Sequence, residues 1–166
     1  MGLYSKRKLD NGATIAIWEI TESEDDLRTL CSPIPNDELE ELEILRSEAR
    51  RKEKLAVRAL LNELYPEKVY LGHHDNGKPY IHNCADEISI SHTNRFAAII
   101  THDEEDVGID IECVNRDFSA VEKKALSEEE IDDLSDKNHN LQLAIYWCAK
   151  EAIYKRMSQR RVDFAE

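Results

Sequence analysis

Val107-Gly108-Ile109-Asp110-Ile111-Glu112 alternates apolar with small or acidic residues, and Trp147-Cys148-Ala149-Lys150-Glu151-Ala152-Ile153-Tyr154-Lys155 sets Glu151 one helical turn before Lys155. The first run reads as a strand. Side chains of a strand repeat every two residues, so burying Val107, Ile109 and Ile111 turns Asp110 and Glu112 to the other face, about 7 Å apart. The second run reads as a helix with Glu151 and Lys155 on one face. Two strand carboxylates and a helix carboxylate suit a hard cation such as Mg²⁺, which prefers oxygen ligands and substrate phosphate. A lysine one turn further neutralises charge developing on that phosphate. A plainer reading competes. The chain carries 35 acidic residues, so Asp-x-Glu is common in it, and an exposed Glu/Lys helix pair contributes only about 0.2–0.5 kcal/mol. The setting favours a site, because unpaired charge beside an apolar strand and an aromatic helix face is costly.

Around these runs the chain alternates between helical and strand patterns. Downstream, Ser127-Glu128-Glu129-Glu130 has the capping-box spacing, and Glu130 is read as the cap residue in preference to a site residue. A last helix is expected from about Asn140 to Met157, packed by Leu143, Tyr146, Trp147, Ile153 and Tyr154. Upstream, residues 103–106 form an acidic turn. Residues 87–91 and 96–101 read as a hairpin around Thr93-Asn94-Arg95, which leaves His92 at a strand end. Residues 68–72 read as a short strand and Asp75-Asn76-Gly77 as a turn. A helix capped by Asn36 or Asp37 is expected to run to about Leu64, with room for a break, before Pro66. Its apolar stripe is Leu39, Leu42, Leu45 and Ala49, continued by Leu55, Ala56, Ala59 and Leu60. Arg51, Lys54 and Arg58 share a neighbouring face. Residues 13–20 read as the first strand, followed by an acidic connection holding Pro33 and Pro35.

Five segments in order resemble the 4'-phosphopantetheinyl transferases of the surfactin (Sfp) type. The Gly108–Glu112 and Trp147–Lys155 runs are joined by Asn76-Gly77-Lys78-Pro79-Tyr80-Ile81, similar to the family's Gly-Lys-Pro segment. Ile88-Ser89-Ile90-Ser91-His92-Thr93 is similar to its Ser-His motif, and residues 50–61 to the helix before it. The resemblance covers about residues 40–155. It implies an α/β (α+β) fold of two pseudo-symmetric halves, here residues 1–101 and 102–166. It implies transfer of the 4'-phosphopantetheine arm of coenzyme A to a serine of an acyl or peptidyl carrier protein, releasing 3',5'-adenosine bisphosphate. By the same resemblance Asp110, Glu112 and Glu151 would bind Mg²⁺, with Mn²⁺ as an alternative, together with the coenzyme A pyrophosphate. Ser91 and His92 would lie at a coenzyme A phosphate, Lys155 near the pyrophosphate, and Gly77, Lys78 and Pro79 near the nucleotide. Arg51 and Arg58 are candidates for the 3'-phosphate. The serine proton would pass to Glu151 or to a metal-bound water. A noncatalytic carrier- or coenzyme-A-binding relative and an unrelated Mg²⁺-dependent phosphohydrolase are the competing readings.

Composition narrows the remainder. At 166 residues the chain suits one domain or two very small ones. It is 41% hydrophobic and 34% charged, ordinary for a soluble protein. No apolar run approaches the ~20 residues that span a bilayer, and the basic start lacks the apolar stretch of a signal peptide, so the cytoplasm is expected. Lys6 stands where a myristoylation signal has Ser or Thr. Cys31, Cys84, Cys113 and Cys148 are too scattered for a zinc motif, and His73, His74 and His82 read as loop residues. The net charge of −13 argues against nucleic acid and anionic membrane as partners. Anionic coenzyme A then needs a local cationic pocket, for which residues 50–58 and Lys155, Arg156, Arg160 and Arg161 are the candidates. The resemblance also implies strands beyond Lys155, of which Val162-Asp163-Phe164 reads as only the start. A shortened second half would leave edges and an apolar helix face uncovered, so a homodimer covering them is expected.

Overall fold

The computed structural model describes residues 2–158. Arg160, Arg161 and Val162-Asp163-Phe164 lie outside the described residues. The fold is α+β, built on an antiparallel sheet. In β2 (Thr14–Glu19) the small and aromatic residues Ala16 and Trp18 alternate inward. Asp10-Asn11-Gly12 turns the chain back onto it from β1 (Leu3–Lys8), an element that reading residues 13–20 as the first strand overlooks. Gly12 has φ 96°, where a side chain would be strained, and Ala13 N–H donates to Asn11 Oδ1 at 3.2 Å. The expected hairpin is present as β5 (Glu87–His92) and β6 (Phe96–His102). The sheet order is β1-β2-β6-β5 with every pairing antiparallel. β3 (Leu71–His73) and β4 (Pro79–Ile81) make a separate hairpin, displaced from the expected 68–72 strand. Its turn is the expected one, with Gly77 at φ 86°.

The single helix expected over residues 36–64 is two helices, α2 (Asn36–Ile44) and α3 (Glu48–Leu64). Ser47 causes the division by starting a new helix, its side chain accepting from Arg50 N. Pro35, not Asn36 or Asp37, occupies the N-cap of α2. A further helix, α1 (Glu24–Leu30), capped by Ser23, fills the connection read as irregular. Leu42 alone of the Leu39–Ala49 stripe is buried, whereas Leu55, Ala56, Ala59 and Leu60 of α3 are buried as expected. They pack with Ala16, Trp18, Ile88, Ala97 and Ile99 of the sheet in the main core, where each large aliphatic side chain contributes roughly 1.5–3 kcal/mol.

Residues 107–112 do not join a backbone ladder. The chain is carried past β5 by serine hydroxyls: Ile109 N–H donates to Ser89 Oγ (3.1 Å) and Ile111 N–H to Ser91 Oγ (3.3 Å). Ser89 and Ser91 are two apart and so project from one face of β5. Their side chains take the place a paired strand would need. A second core follows, formed by Phe118, Val121, Ala125, Leu126, Leu143 and Ala144. It lies between α4 (Ser119–Ala125) and α6 (His139–Met157), while the short α5 (Glu128–Asp132) between them buries none of its residues. Tyr146 and Trp147 pack against it, but Ile153 is exposed, contrary to its expected packing role. No described helix is long and apolar enough to cross a membrane.

Candidate functional site

Gly108 joins the 107–112 segment to the 147–155 stretch of α6. A methyl group on it would fall onto the Ala152 carbonyl oxygen, with Ala152 C and Arg156 N each 2.9 Å away. Only glycine lets this segment lie directly on the α6 backbone. The next polar residue, Asp110, is thereby pressed against Lys155. Asp110 Oδ1 accepts from Lys155 Nζ at 2.7 Å and from Ser91 Oγ at 2.9 Å, and Lys155 Nζ also donates to Ile109 O at 3.0 Å. The Asp110 side chain is 8% exposed, and its Oδ2 is buried with no hydrogen-bond partner.

Glu112 and Glu151 complete the acidic group. Glu112 Oε1 accepts from Arg116 (2.6 Å) and from Trp147 Nε1 (3.3 Å), so Trp147 orients a site residue as well as packing the core. Burial, followed by the charge of Asp110, pushes the Glu151 carboxyl above its usual range; Glu112 adds to this and Lys155 opposes it. The Cys148 thiol is pushed up to about 12, first by burial and then by Asp110, which marks it as an inert neighbour. Among the described residues no group of three His, Cys, Asp or Glu is placed to hold a metal ion. The donor set nonetheless fits one chemically. Asp110 Oδ2 lacks a donor, and the mutual repulsion of three carboxylates is what a divalent cation relieves.

A cavity of about 420 Å³ opens beside this group, between α2, α3, the β3–β4 hairpin and the end of β5. Gly77, Pro79, Ser91, His92, Arg58 and Lys155 all line it. A neighbouring cavity of about 180 Å³ shares Gly77, Pro79 and Lys155 and adds Lys78. The fold thus gathers four separated segments around Lys155. Asp110, Glu112, Glu151 and Arg51 line neither cavity.

Four of the sequence-derived cations, Lys78, Arg51, Arg58 and Lys54, are tied into the structure. Lys78 Nζ bonds Glu87 (2.7 Å) and Asp106 (2.5 Å), linking the hairpin to β5 and to the loop before Val107. Burial works to lower its pKa, but its two carboxylate partners hold it above the usual value. Arg51 donates to Glu24 (2.8 Å) and to Leu45 O (2.7 Å). Arg58, 2% exposed, is held by Glu38 and by Val69 O. Lys54, also on the cavity wall, pairs with Glu41. Glu130 caps α5 as expected and in addition bonds Lys150 at 2.8 Å.

Sequence reasoning missed Glu53, which sits 3.1 Å from His92 Nδ1. It lies within a run of cations, and only the packing of α3 on the sheet reveals its partner.

The raised Glu151 carboxyl gives a pH expectation. A carboxyl with a folded-state pKa above its unfolded value favours folding only while protonated. That contribution is present below the unfolded value, near 4.5, and is lost as pH rises through the elevated one. Glu151→Gln should therefore melt higher than the parent at pH 7 and equally at pH 4 in metal-free buffer. Equal melting temperatures at pH 7 would contradict it.

Residues 106–165 match the family model of the 4'-phosphopantetheinyl transferase superfamily, ACPS. The match includes Asp110, Glu112, Glu151 and Lys155. No curated protein sequence matches the chain. Among solved structures it is similar to a holo-(acyl-carrier-protein) synthase from Bacillus anthracis str. Ames in complex with CoA (3',5'-ADP). The identity is 22%, over 54% of this chain and 92% of that one, with a TM-score of 0.45.

Proposed function

We propose that the protein transfers the 4'-phosphopantetheine arm of coenzyme A to a carrier-protein serine, in the manner of the surfactin-type transferases. The observation that supports this most is the coincidence of the family match with the assembled site. The matched residues supply Asp110, Glu112, Glu151 and Lys155, while Gly77, Pro79, Ser91 and His92, upstream of the match, line the cavity that Lys155 closes. In the reaction the serine oxygen bonds to the β-phosphorus, the phosphoanhydride bond breaks, and 3',5'-adenosine bisphosphate departs. Asp110, Glu112 and Glu151 would hold Mg²⁺, which when bound screens the pyrophosphate charge. Lys155 donates to the pyrophosphate oxygens once it turns from Asp110. His92 donates to a phosphate in the cavity. Glu151, on the helix face that carries Lys155, takes the serine proton.

A binding-only relative is the second reading. It is favoured by Lys155 and Arg116 already engaging Asp110 and Glu112. Incubation with coenzyme A, Mg²⁺ and a panel of apo-carrier proteins, read by carrier mass, separates the two. A gain of one phosphopantetheine that is lost without metal supports transfer. Coenzyme A binding by calorimetry without a mass gain supports the second reading. Release of phosphate from simple esters, without either, would point to a phosphohydrolase.

We also propose a homodimer through α6. Leu141, Ile145, Ile153 and Met157 are 42%, 60%, 56% and 48% exposed, and at steps of four, eight and four residues they follow one winding ridge of the helix surface. Such a ridge marks an interaction surface, and a second copy covers it with an identical one. Sedimentation should show a dimer at micromolar concentration that Ile153→Glu dissociates. A parent that sediments as a clean monomer contradicts it.

A further inference from the structure

One acidic side chain of α3, Glu53, meets a residue of the cavity wall and has no role in the reaction described above. Glu53 is a charged residue on the buried face of a helix whose other buried positions are chiefly aliphatic. Its side chain is 8% exposed. Oε2 accepts from Arg50 at 2.9 Å and lies 3.1 Å from His92 Nδ1. A carboxylate so placed is expensive to bury without partners of opposite charge. Arg50, 62% exposed, offers one that solvent weakens. His92 is the other, and it stands on the strand end that faces the cavity.

We infer that Glu53 is a positioning residue: it holds the Nδ1–H of His92 and so turns Nε2 toward the anion that the cavity receives. This rests on the coenzyme A reading for the identity of that anion, though the Glu53–His92 pair does not. An imidazole fixed through one nitrogen has its tautomer and ring orientation set by that bond. Burial is the largest influence on His92 and lowers its pKa. Glu53 opposes this, while Arg50, Lys54 and Lys155 reinforce it. Glu38, Glu41 and His73 line the same cavity. An entering phosphate adds negative charge on the Nε2 side. With Glu53 on one nitrogen and phosphate on the other, the ring takes up a proton and donates through both. Glu53 thus couples anion binding to proton uptake without touching the anion.

Nitrogen-15 NMR of the imidazoles in the full chain, with His92 assigned from His92→Gln, tests the pair without any ligand. In Glu53→Gln the His92 titration should move to lower pH, and its Nδ1 signal should lose the signature of a proton held on that nitrogen. Unchanged nitrogen shifts and titration would overturn the inference. Calorimetry with 3',5'-adenosine bisphosphate tests its consequence. Parent binding should weaken as pH rises past the His92 titration of the complex. Glu53→Gln should bind several-fold more weakly near pH 7 and recover at lower pH. In the His92→Gln background, Glu53→Gln should change affinity no further; an equal loss in both backgrounds would show a role independent of His92 and refute the positioning role. If the parent binds no nucleotide, the coenzyme A reading fails, while the NMR result still decides whether Glu53 sets the state of His92. Matched thermal melts separate these effects from a general loss of folding.

Discussion

Gly108→Ala should be the most damaging single-atom change available in this chain. The added methyl meets the Ala152 carbonyl oxygen, an atom of a helix backbone that has no rotamer to escape by. Either residues 107–112 lift from α6 or α6 moves away from β5. Overpacking costs typically 1–3 kcal/mol, and a clash with rigid backbone belongs at about the upper end or beyond. The denaturant midpoint should fall accordingly, and phosphopantetheine transfer should disappear with it, because the separation carries Asp110 and Glu112 away from Glu151 and Lys155 on α6. The two readouts must move together. A variant with the parent's midpoint would mean that the close approach of Gly108 to α6 is not what joins the two regions.

Asp110→Ala should have the largest effect on chemistry with a moderate effect on folding. Lys155 and Ser91 lose a common acceptor. Hydrogen bonds to charged groups contribute roughly 1.5–3 kcal/mol, and less here because Lys155 is partly solvated. Loss of one preorganised electrostatic element in an active site costs on the order of 10²–10³ in rate. Removing Asp110 should also bring the Glu151 carboxyl down toward its ordinary value, since the Asp110 charge helps raise it. Added Mg²⁺ should raise the melting temperature of the parent at neutral pH and leave Asp110→Ala unmoved. Parent-like transfer by the variant at limiting Mg²⁺ would remove Asp110 from the ligand set, whatever the melting behaviour.

Much of the molecule was legible because local rules governed it. The β5–β6 hairpin, the Asn76-Gly77 turn, the capping box at Ser127 and the long last helix each follow from turn residues, alternation or cap chemistry confined to a few neighbours. Where neighbours in sequence were not the deciding partners, the reading slipped. Asp110 and Glu112 alternate with aliphatic residues as a strand would, yet the Ser89 and Ser91 hydroxyls take the bonds that a ladder would need. Ile153 has the character of a core residue but sits on the outer face of α6. Ser47 splits a helix whose apolar stripe runs through it.

The sequence by itself determined which groups are present, in what order, and with what local geometry: Asp110 beside Glu112, Glu151 one turn before Lys155, Ser91 before His92. It could do so because those relations depend on strand and helix periods of a few residues. Only the tertiary structure decided their partners. It placed Lys155 on Asp110, lodged Arg58 and Arg51 against Glu38 and Glu24, and set Glu53 against His92. Those pairings depend on how α3 and α6 pack on the sheet, and packing is fixed by the burial of the whole apolar surface at once.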